Sequence, residues 1–375
     1  MQVVHLTSVH PAFDVRIFQK ECGTLAEAGH QVTLIAPHDR DEQSGKVAIH
    51  AVAKSRCRAS RMLVGTWRVY RRALREPADA YHFHDPELIP VGLLLRAHGK
   101  PVVYDLHEDV PCDILGKDYL PKFARRPLAF AVDRLERIAS RLFSGLVAAT
   151  PAIARRFGHL DGKLVVVQNF PLRREFASHQ APSWQQRSAS VAYAGCITRD
   201  RGVLEMVEAI NLVSSRCNAN LKLAGEFWPE NLRTRVKARP GWQRVAELGL
   251  LPRSKVSELF ATASAGLLVF HPDPNNLQAQ PNKLFEYMAA GLPVIASNFP
   301  LWKEIVAGIG CGVLVDPLKP TEIADAIEYL LTHPAEAEQM GIRGREAVEK
   351  KFNWEYEERK LLQFYGSLRE PTCVE

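Results

Sequence analysis

Residues 16–37 read RIFQKECGTLAEAGHQVTLIAP, and the reading of this stretch sets the fold. Its first twelve residues place Ile17, Cys22 and Leu25 on one helical face, and Gly29 follows as a left-handed C′ residue. VTLIA (32–36) is then an unbroken apolar run closed by Pro37, the pattern of a strand buried on both faces of a parallel sheet. Upstream, residues 3–9 predict the strand that precedes this helix. Downstream, strands are predicted over 47–52, 79–84, 102–104, 146–149 and 164–168, with helices over 61–74 and 132–143. Strands that alternate with helices predict a doubly wound parallel sheet. The pattern lapses at RREFASHQAPSWQQRSAS (173–190), a polar stretch read as an interdomain linker. It restarts with strands over 191–195, 221–224, 245–248, 265–270, 294–296 and 313–315, and with helices over 202–213, 284–290, 321–331, 335–350 and 354–368. The fold class is therefore α/β, with two Rossmann-like domains over 1–172 and 191–354. A cleft between them, where carboxyl strand ends face each other, is the expected ligand site.

The chain has 375 residues, a length that suits two domains of about 150–200 residues. Hydrophobic residues make up 46% and charged residues 24%, which excludes disorder, collagen and coiled coil as the main architecture. The first residues, MQVVHLTSVH, lack a basic n-region and are broken by polar side chains, so they do not read as a signal peptide. No apolar run approaches the roughly 20 residues of a membrane span. The seven cysteines are scattered without a CxxC, the usage of a reduced cytoplasmic protein.

The net charge is +6, and residues 1–172 account for all of it, with 24 Lys+Arg against 18 Asp+Glu. Residues 54–76 alone carry eight basic side chains, among them Arg68, Arg71, Arg72 and Arg75, against one acid. This stretch reads either as a solvated helix face or as a surface that meets lipid headgroups or a lipid-linked phosphate. A nucleic-acid binder would interleave aromatics with the bases, and only Trp67 and Tyr70 do so; no nucleic-acid partner is expected.

Four stretches carry chemistry. In PNKLFEYMAAGLPVIAS (281–297), Pro281 is read as the first helical residue, which leaves the N–H groups of Asn282 and Lys283 at the helix start beside a lysine. That is a ready phosphate site, and Glu286 one turn on can accept from vicinal hydroxyls. GCITRDRG (195–202) follows a strand and opens a helix, and it offers Gly195, Arg199 and Arg201. After strand one, His10, Asp14 and Arg16 occupy a loop without glycine; Asp14 reads equally as a helix N-cap with Arg16 paired to it. His82, His84, Asp85 and Glu87 follow one strand, and His107 and Glu108 another. These, and the DRD at 39–41, are metal-ligand types, but no cysteine lies nearby and DRD sits in a charged turn, so no metal is expected.

The 281–297 stretch resembles the signature region of retaining glycosyltransferases of the family-4 type, which have the GT-B fold. SVHPAFDVRIFQKE (8–21) and LAEAGHQVTLIAPH (25–38) look like the N-terminal domain of a bacterial polysaccharide-assembly branch. YHFHDPEL, VVYDLHE, VVVQNFP, AGCITRDRG, LAGE and LGLLPRSKVSELF follow in the family's order. The resemblance implies a retaining, metal-independent hexosyltransferase that needs no cofactor beyond its nucleotide-sugar, with a UDP-sugar favoured over a GDP-sugar. It implies a saccharide or polyprenyl-linked acceptor, and the basic stretch at 54–76 points to peripheral contact with the anionic inner membrane. Arg201, Lys283 and His107 are the implied catalytic groups. Glu286 would bind the ribose, with Gln278, Asn282, Gly195, Arg199, Leu284 and Leu251 also on the donor side. His10, Asp14, Arg16, His84 and Glu108 would face the acceptor, and Asn169 would shape the hinge. The segment 355–375 would cross back to complete the first domain. Gln278 and Cys196 stand where the family usually has Glu and Arg. An epimerase or phosphorylase on the same fold, a basic binding protein, and an inactive relative are the alternative readings.

Overall fold

The computed structural model describes residues 1–117, 120–160, 162–177 and 184–368. Part of the stretch read as linker (178–183), the last residues of the crossing segment (369–375) and Cys373 lie outside them. The six described cysteines are free. The chain divides into two compact units, Met1–Asn169 joined by the segment from Trp354, and Phe170–Asn353.

The first unit holds eight strands: β1 (Gln2–Leu6), β2 (Gln31–Pro37), β3 (Glu42–Ser44), β4 (Val47–Val52), β5 (Ala80–Phe83), β6 (Val102–Leu106), β7 (Gly145–Ala148) and β8 (Leu164–Val166). Their order is β3-β4-β2-β1-β5-β6-β7-β8. Every pairing is parallel except β3 with β4, where a short edge strand folds back. Val3, Val4, Leu6, Leu34, Ile35, Val102 and Val103 are buried, as a sheet covered on both faces requires. The order reverses direction between β1 and β5, so the carboxyl ends of these two strands form the crevice in which open α/β sheets bind ligands.

The second unit repeats the plan with β9 (Ser190–Ala194), β10 (Asn220–Ala224), β11 (Val245–Gly249), β12 (Ala265–Leu268), β13 (Val294–Ser297) and β14 (Gly312–Val315). The order β11-β10-β9-β12-β13-β14 is wholly parallel, the dinucleotide-fold order, with its reversal between β9 and β12.

Several expectations shift. The helix read over 132–143 begins ten residues earlier, as Lys122–Leu142; Pro127 sits in its second turn, on the exposed side. Pro281 is the N-cap (φ −68°, ψ 133°) and Asn282 the first residue of helix Asn282–Ala289. The unit boundary falls at Asn169, and residues 173–177 of the stretch read as linker form the helix Arg173–Ala177 inside the second unit. Phe170 packs edge-on against Phe285 (4.6 Å between centroids), which ties residues after Asn169 to the second core.

The chain returns to the first unit at Trp354. Its ring is buried, and Nε1 donates to Thr24 Oγ1 at 2.9 Å. Tyr365, further along helix Trp354–Ser367, pairs its hydroxyl with His82 Nδ1 at 2.8 Å. Trp354→Ala leaves a large cavity, so it should lower the unfolding free energy of this unit by about 3–5 kcal/mol. Denaturant titration measures this, and a loss below about 1 kcal/mol would contradict the packing described.

Candidate functional site

In the second unit the chemistry gathers at the carboxyl end of β9. Gly195 has φ +139° and Gly225, after β10, has φ +137°. A Cβ on Gly225 would lie 1.9 Å from the Gly195 carbonyl oxygen, and one on Gly195 would lie 2.3 Å from Lys283 Cε. Only glycine fits at either place, so bare backbone and one ammonium group share the strand end. Lys283 Nζ lies 5.5 Å from the centroid of the Tyr193 ring. Burial, and then the charge of Arg201, push the Lys283 pKa down to about 8.

Arg201 is placed by Gly202, a left-handed N-cap (φ 77°) that admits no side chain because Val269 O is 2.1 Å from its would-be Cβ. The guanidinium stacks over Phe270 at 5.4 Å and donates to Cys196 O at 3.4 Å. Two cations that repel each other, beside the leading N–H groups of Asn282 and Lys283, make a site that an anion would relax. Leu284 does not join it. Its side chain is fully buried and its N–H donates to Pro281 O at 3.0 Å, so it belongs to the core. Leu251 is half-buried against that core, Gln278 is exposed at the end of helix Pro274–Gln278, and Arg199 is exposed. A cavity of about 450 Å³ opens at the ends of β10 and β11, lined by Gly225, Phe227, Trp228, Glu247, Gly249 and Leu250.

Glu286 is nearly buried, and its Oε1 accepts from Arg253 Nη2 at 2.8 Å; the same nitrogen reaches Glu175 Oε2 at 2.7 Å. Burial opposes the Arg253 charge, but the two carboxylates outweigh it and raise its pKa. Sequence reading missed Arg253, because its partners lie 33 and 78 residues away and only the fold joins them.

In the first unit a cavity of about 370 Å³ opens at the β1–β5 reversal, lined by His10, Arg61, His84, Glu87, His107 and Glu108 among others. Asp85 Oδ2 organises the loop after β1, accepting from Thr7 Oγ1 (2.8 Å) and Ser8 N (2.6 Å). His10 sits 3.6 Å from Asp14 Oδ2 and 3.5 Å from Asp85 Oδ1. Burial opposes its protonation, but these carboxylates win and raise its pKa. Asp14 is also the N-cap of helix Val15–Cys22, accepting from Arg16 N and Ile17 N.

Arg16 does not line the cavity, and its guanidinium does not pair with Asp14. It is buried, bound to Asp105 Oδ1 (3.0 Å), Val167 O (2.9 Å) and Glu21 Oε1 (3.0 Å). Burial alone would raise Asp105, yet Arg16 and then His107 hold it well below the usual carboxylate range. Burial and the Asp105 charge leave Glu21 well above that range. Donor atoms of Glu21, His82, His84 and Asp105 lie within 4.8 Å of one another, and Arg16 supplies the cation among them. Burial pushes His84 down to about 4, so it is neutral at pH 7. Its Nδ1 lies 3.0 Å from His107 Nε2 and 3.3 Å from Asp105 Oδ2, and its Nε2 lies 2.9 Å from His5 Nδ1. His107 Nε2 lies 2.9 Å from Asp105 Oδ2, and its Nδ1 makes none of these contacts.

Of the expected basic surface, Arg72 is paired with Asp41 (2.7 Å) and Glu76 (3.2 Å), whereas Arg68, Arg71 and Arg75 are exposed. Asp41 of the DRD also caps Ala51 N at 2.7 Å, a structural role.

If Lys283 meets a phosphate, as the sequence predicts, its pKa gives binding a pH signature. Its folded pKa is depressed, and a bound diphosphate would raise it, so binding above pH 8 must take up a proton. The Kd for a nucleoside diphosphate should rise with pH above 8, by up to about tenfold per unit. Lys283→Gln should weaken binding and flatten that slope. Calorimetric titration from pH 7 to 9.5 reads both, and a flat wild-type profile would place the phosphate elsewhere.

The model for Glycosyltransferase Family 4 matches residues 18–170, and that for Glycosyl transferases group 1 matches residues 175–347. Glycogen synthase of Mycobacterium tuberculosis is 23% identical over 354 residues, covering 93% of this chain and 80% of that one. Alpha-maltose-1-phosphate synthase of Mycolicibacterium smegmatis is 27% identical over 188 residues, and the match spans about half of each chain, 47%. Among solved structures, sucrose-phosphate synthase from Thermosynechococcus elongatus superposes with a TM-score of 0.78 at 18% identity, over 98% of this chain and 99% of that one. Anabaena HepE in complex with UDP and glucose gives 0.71 at 15% identity, over 98% and 100%. The structural likenesses establish the fold, and the two matched models take in most of the sequence: the chain belongs to the group 1 glycosyl transferases, with a family-4 N-terminal half, on the GT-B fold.

Proposed function

We propose that this protein is a retaining, metal-independent glycosyltransferase. It moves a sugar from a nucleotide-sugar, a UDP-sugar in preference to a GDP-sugar, to a saccharide or lipid-linked saccharide in bacterial surface polysaccharide assembly. The observation that carries the reading is the strand end where Gly195 and Gly225 leave room for Lys283 beside Arg201. A leaving diphosphate would be stabilised there by two positive groups already in place, without reorganisation. Glu286, held by Arg253, would accept from the ribose hydroxyls, and the cavity beyond Gly225 has room for the base. His10, His107 and Glu108 would receive the acceptor, with His107 Nδ1 the nitrogen available to a sugar hydroxyl. The preference for uridine is supported by the structural neighbour solved with UDP and glucose.

The test is release of nucleoside diphosphate from a panel of UDP-, GDP- and ADP-sugars, with thermal shift as the binding readout. One base class should stand out. Glu286→Ala should weaken its binding by roughly 10- to 100-fold, the worth of charged hydrogen bonds of about 1.5–3 kcal/mol. The anomeric proton coupling in the product should match that of the donor. Stabilisation by no nucleotide would overturn the reading, and an inverted product would overturn its retaining part.

A further inference from the structure

The helix Lys122–Leu142 buries Ala129, Glu136, Ala139 and Ser140 and turns the opposite face outward. That outer face carries large apolar side chains. Phe123 is 84% exposed and Phe130 61%, and Leu135, Ile138 and Leu142 are each more than half exposed. Positions 123, 130, 138 and 142 recur at helical spacing, so they form one stripe rather than scattered single residues. Exposed Arg134 and Arg141 stand within it, the Arg134 guanidinium 5.1 Å from the centroid of the Phe130 ring, and exposed Arg126 lies at its edge. The two acids of the helix do not offset them. Asp133 is bound by Arg137 (2.8 Å) and Arg156 (2.9 Å), and Glu136 is buried under Arg156 (2.6 Å) and Tyr104 (3.0 Å).

The stripe does not stand alone. Helix Ile89–Ala97 packs against Lys122–Leu142, and helix Thr66–Ala73 packs against Ile89–Ala97. Leu94 and Trp67 are exposed on these neighbours, together with Arg68 and Arg71, and Leu63 just upstream is 74% exposed. Three adjacent helices of one unit therefore present large apolar side chains within a field of arginines.

We propose that this three-helix face docks on an anionic lipid bilayer, with Phe123, Phe130 and Ile138 entering the acyl boundary and the arginines at the phosphates. An apolar patch of this kind on a water-soluble surface marks a docking site. The charge selects the occupant. A second copy would bring Arg126, Arg134 and Arg141 against like charges, whereas a bilayer rich in acidic lipid satisfies the aromatic stripe and its arginines together. Among the described residues no helix is long and apolar enough to cross a membrane, so the contact is interfacial. The use of this face in catalysis rests on the proposed lipid-linked acceptor; the docking does not.

Flotation of the full chain with vesicles tests it, using phosphatidylcholine alone or phosphatidylcholine with one third phosphatidylglycerol. The wild type should float with the acidic vesicles and not with the neutral ones, and added salt should weaken the binding. A Phe130→Ser, Ile138→Ser double variant should lose at least about tenfold in partitioning. It should keep the wild-type melting temperature, since both side chains lie at the surface. Equal partitioning to neutral vesicles, an unaffected double variant, or a dimer in light scattering that the double variant abolishes would each overturn the proposal. Nucleotide thermal shift on the same samples separates the two readings: docking without any nucleotide response would sink the reaction and leave the surface standing.

Discussion

The site depends on a steric constraint: two glycines stacked at the ends of adjacent parallel strands. Gly225 lies against the Gly195 carbonyl, and Gly195 lies against the Lys283 side chain, both at separations no Cβ would allow. A side chain at Gly195 would push the lysine away from the strand end, and one at Gly225 would collide with the Gly195 carbonyl. The constraint has force because of topology. The β11-β10-β9-β12-β13-β14 order opens a crevice beside β9, and the helix that carries Lys283 starts at its mouth. Lys283 and Arg201 look ordinary in isolation, and backbone geometry brings them together at a strand end where burial already makes the lysine's positive charge costly.

The first unit solves a different problem at the equivalent place. Its strand ends carry a row of ring nitrogens and carboxylates that the fold buries: His5 and His82 face each other across β1 and β5, and Asp105 ends β6. Buried charge is tolerated only when it is paired and hydrogen-bonded. Arg16 does this for Asp105, and Asp105 Oδ2 in turn lies within 3.3 Å of ring nitrogens of both His84 and His107. The C-terminal helix closes the network through Tyr365 on His82, so the segment that returns from Trp354 supports this row of histidines as well as the core. Arg16 thus acts on the site through Asp105 rather than by contact with a ligand.

Much of this was legible in the sequence, and what was not has physical reasons. The strands could be read because parallel strands buried on both faces are short apolar runs, and Lys283 and Arg201 could be read because local spacing puts them at helix starts. Pairings set by the fold could not be read. Arg16 finds Asp105 across 89 residues, and Arg253 finds Glu286 across 33. Leu284 has no local mark that separates a core leucine at a helix start from one beside a ligand. The helix Lys122–Leu142 was half hidden by Pro127, and by an outer face whose aromatics break the usual rule that apolar residues mark the buried side. The basic run at 54–76 read as one surface, yet Arg72 is held by Asp41 and Glu76.

The measurement that bears most directly on the central claim is a crystal structure of the full chain grown with UDP. The account places the diphosphate at the carboxyl end of β9, within hydrogen-bond reach of Lys283 Nζ and the Asn282 and Lys283 amides. It places the ribose hydroxyls on Glu286. A nucleotide bound away from Gly195, or a diphosphate that Lys283 and Arg201 do not touch, would contradict it.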